Sequence, residues 1–381
     1  MAEFHYTLHA REVIFAAGAL DRLGEAVERF GWQRILLCTS PSQNRAGRVS
    51  RLEAALGGRL RAIYDSVQPH VQDFQLAEAL SIAELQEVDV VMGLGGGSSI
   101  GMAKAVSHRL EAKPSEGFAP PAERPLVPVF AIPTTYAGSE MTPVYGVTGQ
   151  QNGENRKLTV SDPRIAPRLV LYDPQLTLDL PPEVTAATGI NALAHCLEAL
   201  YSITRNPLST AAALSGLRHI FFALPKCYTT GEDLQARTEM MIGSHLAGTA
   251  LAGVAMGLHH GLCHVLGGTA GVPHGAANSI MLPHAMRFNL EAAATELAPA
   301  AGAMGIPTDG RKPVQASQIL LDKVSGLIEE LALPRRLRDV GVQQADLPRL
   351  AELALQSRAV QSNPRPIRDA REIQTVLSAA W

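Results

Sequence analysis

The stretch VDVVMGLGGGSSIGMAKAVS, residues 88 to 107, runs from an apolar segment through a glycine-rich turn into a helical pattern. Glycines let the backbone approach a ligand closely, and the free N–H groups at a helix start bind anions. The stretch therefore predicts a strand, a helix that begins near Ser98, and between them a phosphate-binding turn formed by Gly95, Gly96, Gly97 and Ser98. Ser98 stands where the common dinucleotide fingerprint has its third glycine, so a tight turn without a ligand is the alternative.

Short β-branched runs alternate with helical patterns on both sides of this stretch. They are VIF (13–15), RILLC (34–38), LRAIYD (60–65), VDVVMGL (88–94), VPVFAI (127–132), KLTVSD (157–162) and RLVLYD (168–173). Such alternation is typical of parallel strands joined by crossover helices. Beyond about residue 180 the patterns are helical and rich in alanine and leucine. We therefore predict an α/β nucleotide-binding domain with a parallel sheet over residues 1–179 and an all-α domain over residues 180–381.

Composition narrows the class of protein. The 381 residues include 33 basic and 36 acidic side chains, with a net charge of −3 and no basic run, which disfavours nucleic acid or an anionic membrane as partner. No apolar stretch is long enough to span a bilayer, so we expect a cytoplasmic protein with a small-molecule ligand. The scattered cysteines, with no CxxC pair, are predicted to be reduced core thiols; they are Cys38, Cys196, Cys227 and Cys263.

A second loop carries hydroxyl groups at the end of a predicted strand. In AIPTTYAGSE (131–140), the hydroxyls of Thr134, Thr135 and Ser139 can donate to a ligand held by the glycine turn, since both loops follow strands of one sheet. A loop that only caps a helix is the alternative. We also assign Lys157, in KLTVSD, to the cofactor site.

Histidines cluster in the second half of the chain. His260 and His264 are four residues apart in GLHHGLCHVLG, and His274 follows in PHG; His195 comes four residues after Asn191 in TGINALAHCLEAL. Four residues apart on a helix means one face, a spacing that suits metal ligands or a set of proton donors. A lone histidine is more often an ordinary core residue, which is our interpretation of four others: His108, His219, His245 and His284.

Over nearly its full length the chain resembles the iron-containing alcohol dehydrogenase family. The resemblance is carried in order by GGGSSIGMAKAVS, AIPTTYAGSE, DPQLTLDLPPEVTAATGINALAHCLEALYS, GLHHGLCHVLGGTAGVPHGAANSIMLPHAMRFN and NPRP. It implies the dehydroquinate synthase-like fold of that family, with a cleft between the two domains for a nicotinamide and its substrate.

The resemblance also implies where a metal would be held. Metal-dependent members use an aspartate and three histidines, which correspond here to Asn191, His195, His260 and His274. A neutral amide in place of the aspartate removes the anionic ligand, so we expect no tightly bound metal at this degenerate site. Ser40 stands where NAD-specific members tend to have an aspartate, so we expect either NADH or NADPH to serve.

Two further departures from the alcohol dehydrogenases are Gly101, where they commonly have aspartate, and TTYAGSE in place of their longer threonine–glycine loop. With Asn191, these departures resemble one branch of the family, the maleylacetate reductases, which is similar in GGGSSIGMAKA, PTTYAGSEMTPVYG, GINALAHCLEALYS and NPRP. The resemblance implies NADH- or NADPH-dependent reduction of the carbon–carbon double bond of maleylacetate to 3-oxoadipate, in the breakdown of aromatic compounds. We expect His264 and His274 to act as donors to the substrate, with His195, His260 and Asn191 completing the pocket, and Arg365 and Tyr136 to bind substrate carboxylates.

Two other functions are considered. One is a metal-dependent alcohol or aldehyde dehydrogenase that uses Asn191 as a ligand, and the other is a non-redox nucleotide-binding relative similar to dehydroquinate synthase. A homodimer is expected because an apolar strand near the N-terminus would otherwise leave an exposed sheet edge.

Overall fold

The computed structural model describes Phe4, Tyr6, His9 and residues 11–69, 71–111, 127–151 and 154–381, without the side chains of residues 111, 150, 151 and 154–157. The chain divides into two compact units. One consists of Leu8–Thr135 and Ser139–Leu178, and the other of Met1–Thr7, Tyr136–Gly138 and Asp179–Trp381. The short segment Tyr136–Gly138 thus groups with the second unit although it lies in the loop after a sheet strand.

The first unit is built on a six-stranded parallel sheet in the order β1-β8-β5-β4-β2-β3. Four of its strands are completely buried, as expected for strands covered on both faces. The strands are β1 (Glu12–Phe15), β2 (Ile35–Thr39), β3 (Leu60–Tyr64), β4 (Val90–Gly95), β5 (Val129–Pro133) and β8 (Leu169–Tyr172). The predicted parallel sheet is confirmed.

The described residues of this unit form five α-helices: α1 (Leu23–Phe30), α2 (Pro41–Arg45), α3 (Arg48–Leu56), α4 (Asp73–Leu85) and α5 (Gly97–Glu111). Apolar residues of α1 and α3 pack on one face of the sheet, and those of α4 and α5 on the other. An antiparallel hairpin of β6 (Val144–Gln151) and β7 (Glu154–Ser161) stands apart from the sheet. The predicted strand KLTVSD is therefore part of a hairpin.

The strand register brings three chain segments to one sheet edge. Leu94 lies beside Thr39 and Gly95 lies beside Pro133, so the carboxyl ends of β2, β4 and β5 are level. The loops that begin at Ser40, Gly96 and Thr134 therefore leave the sheet side by side. This edge is where doubly wound sheets bind nucleotides.

The second unit contains helices and no strand among its described residues, which confirms the predicted all-α half. The helices are α6 (Pro182–Tyr201), α7 (Pro207–Thr229), α8 (Leu234–Ala252), α9 (Leu258–Thr269), α10 (His274–Asn289), α11 (Ala294–Ala303), α12 (Pro313–Glu330), α13 (Leu347–Leu355), α14 (Arg358–Gln361) and α15 (Ala370–Ala380). Helix α6 is buried almost all round from Thr185 to Tyr201, as its apolar composition predicts.

Two further expectations can be compared with the structure. All four cysteines are buried and free, as predicted for core thiols. In the portion of the chain that the structure describes, no helix combines the length and apolar character needed to cross a bilayer.

Candidate active site

The glycine-rich turn forms an open backbone cradle at the end of β4. Gly95 has φ 138°, and a Cβ there would lie 2.7 Å from Ser99 Oγ, so a side chain would be strained in both respects. Helix α5 starts at Gly97, one residue from the predicted position. The half-buried Gly96, Gly97 and Ser98 present the first turn of a 15-residue helix, which is the arrangement that binds phosphate.

The hydroxyl-bearing loop lies directly against this cradle. Thr134 N–H donates to Gly95 O at 3.0 Å, and a Cβ at Gly96 would lie 3.3 Å from the Thr135 side chain. Thr134 is 1% exposed, yet its Oγ1 has no hydrogen-bond partner among the described residues. A buried hydroxyl without a partner beside an open helix start fits a nucleotide phosphate or ribose.

Lys104 connects helix α5 to the hydroxyl-bearing loop, and it was not among the residues predicted from the sequence. Its Nζ donates to Ser139 O (2.5 Å), Val144 O (3.0 Å) and Thr142 Oγ1 (3.3 Å), and lies 3.4 Å from Ser139 Oγ. Complete burial lowers the pKa of Lys104 to about 7, although the Glu140 carboxylate acts in the opposite direction. The available signal was a lysine in an otherwise apolar helical stretch.

Two further residues, Ser40 and Lys157, were also assigned to the cofactor site. Ser40 caps the start of α2 at the sheet edge, and its Oγ lies 2.9 Å from Ser42 Oγ. The side chain of Lys157 lies outside the described residues.

Five predicted residues converge in the helical unit. Asn191 and His195 lie on α6, His260 and His264 on α9, and His274 is the first residue of α10. The ring centroids of His195 and His260 are 4.6 Å apart, and those of His264 and His274 are 6.1 Å apart; both pairs are stacked. The His260 centroid lies 6.3 Å from that of His264 and 6.5 Å from that of His274. We call these five residues the histidine cluster.

Three buried polar atoms of the cluster have no hydrogen-bond partner among the described residues. They are Asn191 Oδ1, His195 Nδ1 and His260 Nε2. Burial, together with the neighbouring His260, holds the pKa of His195 well below its ordinary value, and burial lowers the pKa of His260. Both rings are therefore neutral near pH 7, and each has a buried nitrogen without a partner among the described residues.

A buried carboxylate supports the cluster and was not predicted. Glu198, one helical turn after His195 on α6, accepts hydrogen bonds from backbone N–H groups at the start of α9 and from the ring of His260. Burial by itself would raise the pKa of Glu198, but the imidazoles of His260 and His259 hold it below its ordinary value. Its spacing of three from His195 was the only sequence signal.

His259, adjacent to His260, completes this support. Its ring meets that of His260 edge-on at 4.8 Å, and its Nε2 lies 3.2 Å from Asn278 O. Burial alone would lower the pKa of His259, but the Cys263 sulfur and the Glu198 carboxylate raise it to about 10.

The donor chemistry does not fit a tightly held hard dication. Asn191, His195, His260 and His274 include no anionic ligand, and hard cations favour anionic oxygen. Glu198, His259 and His260 do have potential ligand atoms within 4.8 Å of one another. Their hydrogen bonds to each other and to the α9 backbone already occupy these atoms, however, so this trio is a hydrogen-bonded network.

The two residues proposed to bind substrate carboxylates, Tyr136 and Arg365, make contacts with other parts of the protein. Tyr136 is fully buried, and its hydroxyl accepts a hydrogen bond of 3.1 Å from the buried Arg237. Arg365 donates to Phe288 O at 3.0 Å, with its guanidinium 4.0 Å from the centroid of the Phe288 ring. Their contact with substrate stays a prediction.

Family models match most of the chain. The model described as iron-containing alcohol dehydrogenase matches residues 10–174, and the model of the C-terminal part of the Fe-containing alcohol dehydrogenase family matches residues 185–381. The chain belongs to the iron-containing alcohol dehydrogenase family.

Named relatives within this family cover the whole chain. Maleylacetate reductase of Pseudomonas knackmussii is 36% identical over 96% of this chain and 95% of its own length. Maleylacetate reductase 1 of Cupriavidus pinatubonensis is 34% identical over 100% of this chain and 98% of its own.

Solved structures of family members agree with this fold. The crystal structure of maleylacetate reductase from Agrobacterium tumefaciens is 34% identical with a TM-score of 0.84, covering 100% of this chain and 99% of its own. A 1,3-propanediol oxidoreductase is 30% identical with a TM-score of 0.92, covering 100% of both chains. Overall fold is therefore shared by family members with different names, and the side chains of the site must distinguish between activities.

Proposed function

We propose that this protein is an NAD(P)H-dependent maleylacetate reductase, an oxidoreductase that reduces the carbon–carbon double bond of maleylacetate to give 3-oxoadipate in the catabolism of aromatic compounds. The observation that carries the proposal is the histidine cluster with neutral Asn191 at the position of the anionic metal ligand. The relatives from Pseudomonas knackmussii and Cupriavidus pinatubonensis, at 36% and 34% identity, are both named maleylacetate reductase.

The reaction matches a site that lacks a tightly held metal. A bound NADH or NADPH supplies the hydride. Addition of hydride to an alkene conjugated with a ketone places negative charge on the ketone oxygen as an enolate, which hydrogen-bond donors can stabilise before a proton is delivered to carbon. Reduction of an unactivated aldehyde depends more on a Lewis acid.

Within the cluster we assign donation to His264 and His274. His195 and His260 are held neutral by burial, so they serve the substrate as oriented polar groups. The stacked rings of His264 and His274 are the pair left to donate to the enolate oxygen and to transfer a proton.

The cofactor proposal follows from the cradle in the α/β unit. The backbone N–H groups at Gly96, Gly97 and Ser98 hold the pyrophosphate, and Thr134 Oγ1 and Thr135 donate beside it. Ser40 offers a hydroxyl where an aspartate would repel a 2′-phosphate, so we propose that both NADH and NADPH are used.

The alternative function is that of a metal-dependent alcohol or aldehyde dehydrogenase, because the chain is also similar to a 1,3-propanediol oxidoreductase. One assay separates the candidates: oxidation of NADH and of NADPH is followed with freshly generated maleylacetate, and with small aldehydes, before and after chelation. We expect chelator-resistant turnover with maleylacetate and with both cofactors. Chelator-sensitive turnover restricted to aldehydes would establish the rival, and no cofactor oxidation with either substrate would favour a non-redox relative.

We also propose that the protein is a cytoplasmic homodimer with a dicarboxylate as its small-molecule substrate. Strand β1 lies at one end of the sheet order, which leaves an edge that a second copy can pair with. Arg365 and Tyr136 stay our first candidates for binding the substrate carboxylates.

A further inference from the structure

Glu198 is a fully buried carboxylate whose two oxygens are committed to the start of α9. Oε1 accepts from the N–H groups of Gly257 (3.1 Å) and His259 (3.2 Å), and Oε2 accepts from the N–H of His260 (3.2 Å) and from His260 Nδ1. A Cβ at Gly257 would lie 3.0 Å from Glu198 Oε1, so glycine makes room for the carboxylate. Glu198 is thus both a cap of α9 and a partner of one ring in the cluster.

The second of these contacts determines where the proton of His260 resides. Both oxygens of Glu198 accept backbone N–H groups, so the side chain acts as an acceptor, and His260 Nδ1 against Oε2 carries the hydrogen. His260 is buried, and a neutral ring with its hydrogen on Nδ1 has a bare lone pair on Nε2. That Nε2 is one of the buried atoms without a partner among the described residues.

His259 approaches the same oxygen of Glu198 from another side. Its Nε2 lies 3.2 Å from Asn278 O, a carbonyl that can only accept, so Nε2 of His259 carries a hydrogen. The two Nδ1 atoms of His259 and His260 lie 3.2 Å apart, and His259 Nδ1 lies 3.6 Å from Glu198 Oε2. The Nδ1 atoms of both rings therefore face the same carboxylate oxygen, which is an acceptor.

We propose that Glu198 is a positioning residue that fixes His260 in its Nδ1–H tautomer, so that the cluster contains an Nε2 acceptor which orients a donor for protonation of the substrate. The catalytic consequence rests on the proposed reductase function, whereas the tautomer does not. An acceptor at this place binds a water molecule or an N–H group and cannot itself donate to a substrate oxyanion. Donation is thereby left to the other imidazoles.

The test is Glu198→Gln, which keeps the size of the side chain but places an amide N–H₂ against His260. The amide would force His260 Nδ1 to accept, which moves the hydrogen to Nε2. We expect kcat with maleylacetate to fall by roughly tenfold to a hundredfold, the range found when a partner that orients a functional histidine is removed, while KM for NADH stays within about twofold. Nitrogen-15 NMR of histidine-labelled protein reports the tautomer directly, with the His260 signals assigned by their loss in His260→Gln.

Two variants separate positioning from support of the fold. Glu239→Gln changes a matched pair, since Glu239 Oε2 lies 2.6 Å from His219 Nδ1 in the same unit, and it should leave kcat and the His260 signals unchanged. Asn363→Ala removes another cap of α9, the 3.1 Å acceptor of Leu258 N–H, and should lower Tm without changing the tautomer or reducing kcat as Glu198→Gln does.

Specific outcomes would overturn the proposal. They are an Nε2–H tautomer of His260 in the wild-type protein, unchanged kcat in Glu198→Gln, or a loss of kcat in Asn363→Ala equal to that in Glu198→Gln. If Glu198→Gln does not fold, the wild-type spectrum still decides the tautomer. Absence of maleylacetate turnover in the wild-type protein together with an Nδ1–H tautomer would refute the proposed function and leave the positioning role intact.

Discussion

The side chains of the histidine cluster differ in hydrogen-bonding capacity although four of the five are imidazoles. Burial lowers the pKa of both His195 and His260, so we assign the proton chemistry to His264 and His274. We expect alanine at either position to lower kcat by about a hundredfold or more, the scale for loss of a positioned acid or oxyanion donor. Steady-state assays with maleylacetate measure this effect, with His219→Ala as control; full activity in both variants would refute the assignment.

We propose that Asn191 is the residue that makes this site differ from a metal centre. Asn191→Asp would add a carboxylate beside His195, and an anionic oxygen increases the affinity for a divalent cation. We expect the variant to bind Zn²⁺ at least about tenfold more tightly than the wild-type protein, measured by titration calorimetry and by metal content after dialysis. Equal affinity in the two proteins would contradict the role given to the missing charge.

Helix α5 joins two functions through one buried lysine. Its first turn is the proposed phosphate-binding cradle, and Lys104, two turns later, donates hydrogen bonds to the loop from Ser139 to Val144. A buried ammonium that binds backbone carbonyls stabilises the loop, but its desolvation opposes folding. The element therefore links cofactor binding to a group whose pKa lies near neutrality.

This linkage predicts a pH dependence of stability. Because the pKa of Lys104 changes from an ordinary 10.5 to about 7 on folding, the unfolded chain binds more protons than the folded chain between these values. The free energy of unfolding should therefore rise with pH across this window relative to that of Lys104→Met, by up to about 1.4 kcal/mol per pH unit.

Urea denaturation of both proteins at pH 7 and pH 9 checks this expectation. Lys323→Met, at an exposed position on α12, is the matched control and should show no such difference. If the free energies of unfolding of the wild-type protein and Lys104→Met differ by the same amount at both pH values, the buried ammonium is not the source of a pH dependence.

Among the described residues the sheet ends on one side at β1, and we propose that two copies of the protein pair along this edge. Glu12 and Ala16 direct their N–H groups to carbonyls beside β8, so the alternation of a strand turns the N–H of Val13 outward. Val13→Pro would remove that outward donor without breaking the ladder to β8. In size-exclusion chromatography with light-scattering detection, we expect a mass of twice 40.6 kDa for the wild-type protein and of 40.6 kDa for the variant. A wild-type monomer, or a variant that remains dimeric, would argue against pairing through β1.

Local patterns of the sequence were sufficient for much of the architecture. The parallel strands, the glycine turn, the helix starting at Gly97 and the all-α second half follow from periodicities over a few residues, which set backbone conformation directly. The hairpin of β6 and β7 was only half predicted because Val144–Gln151 gives a weak strand pattern and its pairing partner determines it.

Within the candidate site, a spacing of four residues along a helix was enough to place Asn191 beside His195 and His260 beside His264, since residues with that spacing share one helical face. Their approach to each other, the partnership of Glu198 with residues about sixty positions away, and the contact of Lys104 with Ser139 depend on how the helices pack. The protonation states also depend partly on the sequence and partly on the packing of the chain. The sequence by itself specified which imidazoles are present, but burial and long-range hydrogen bonds decide which of them are neutral and which nitrogen carries the proton, because desolvation exists only in the packed chain.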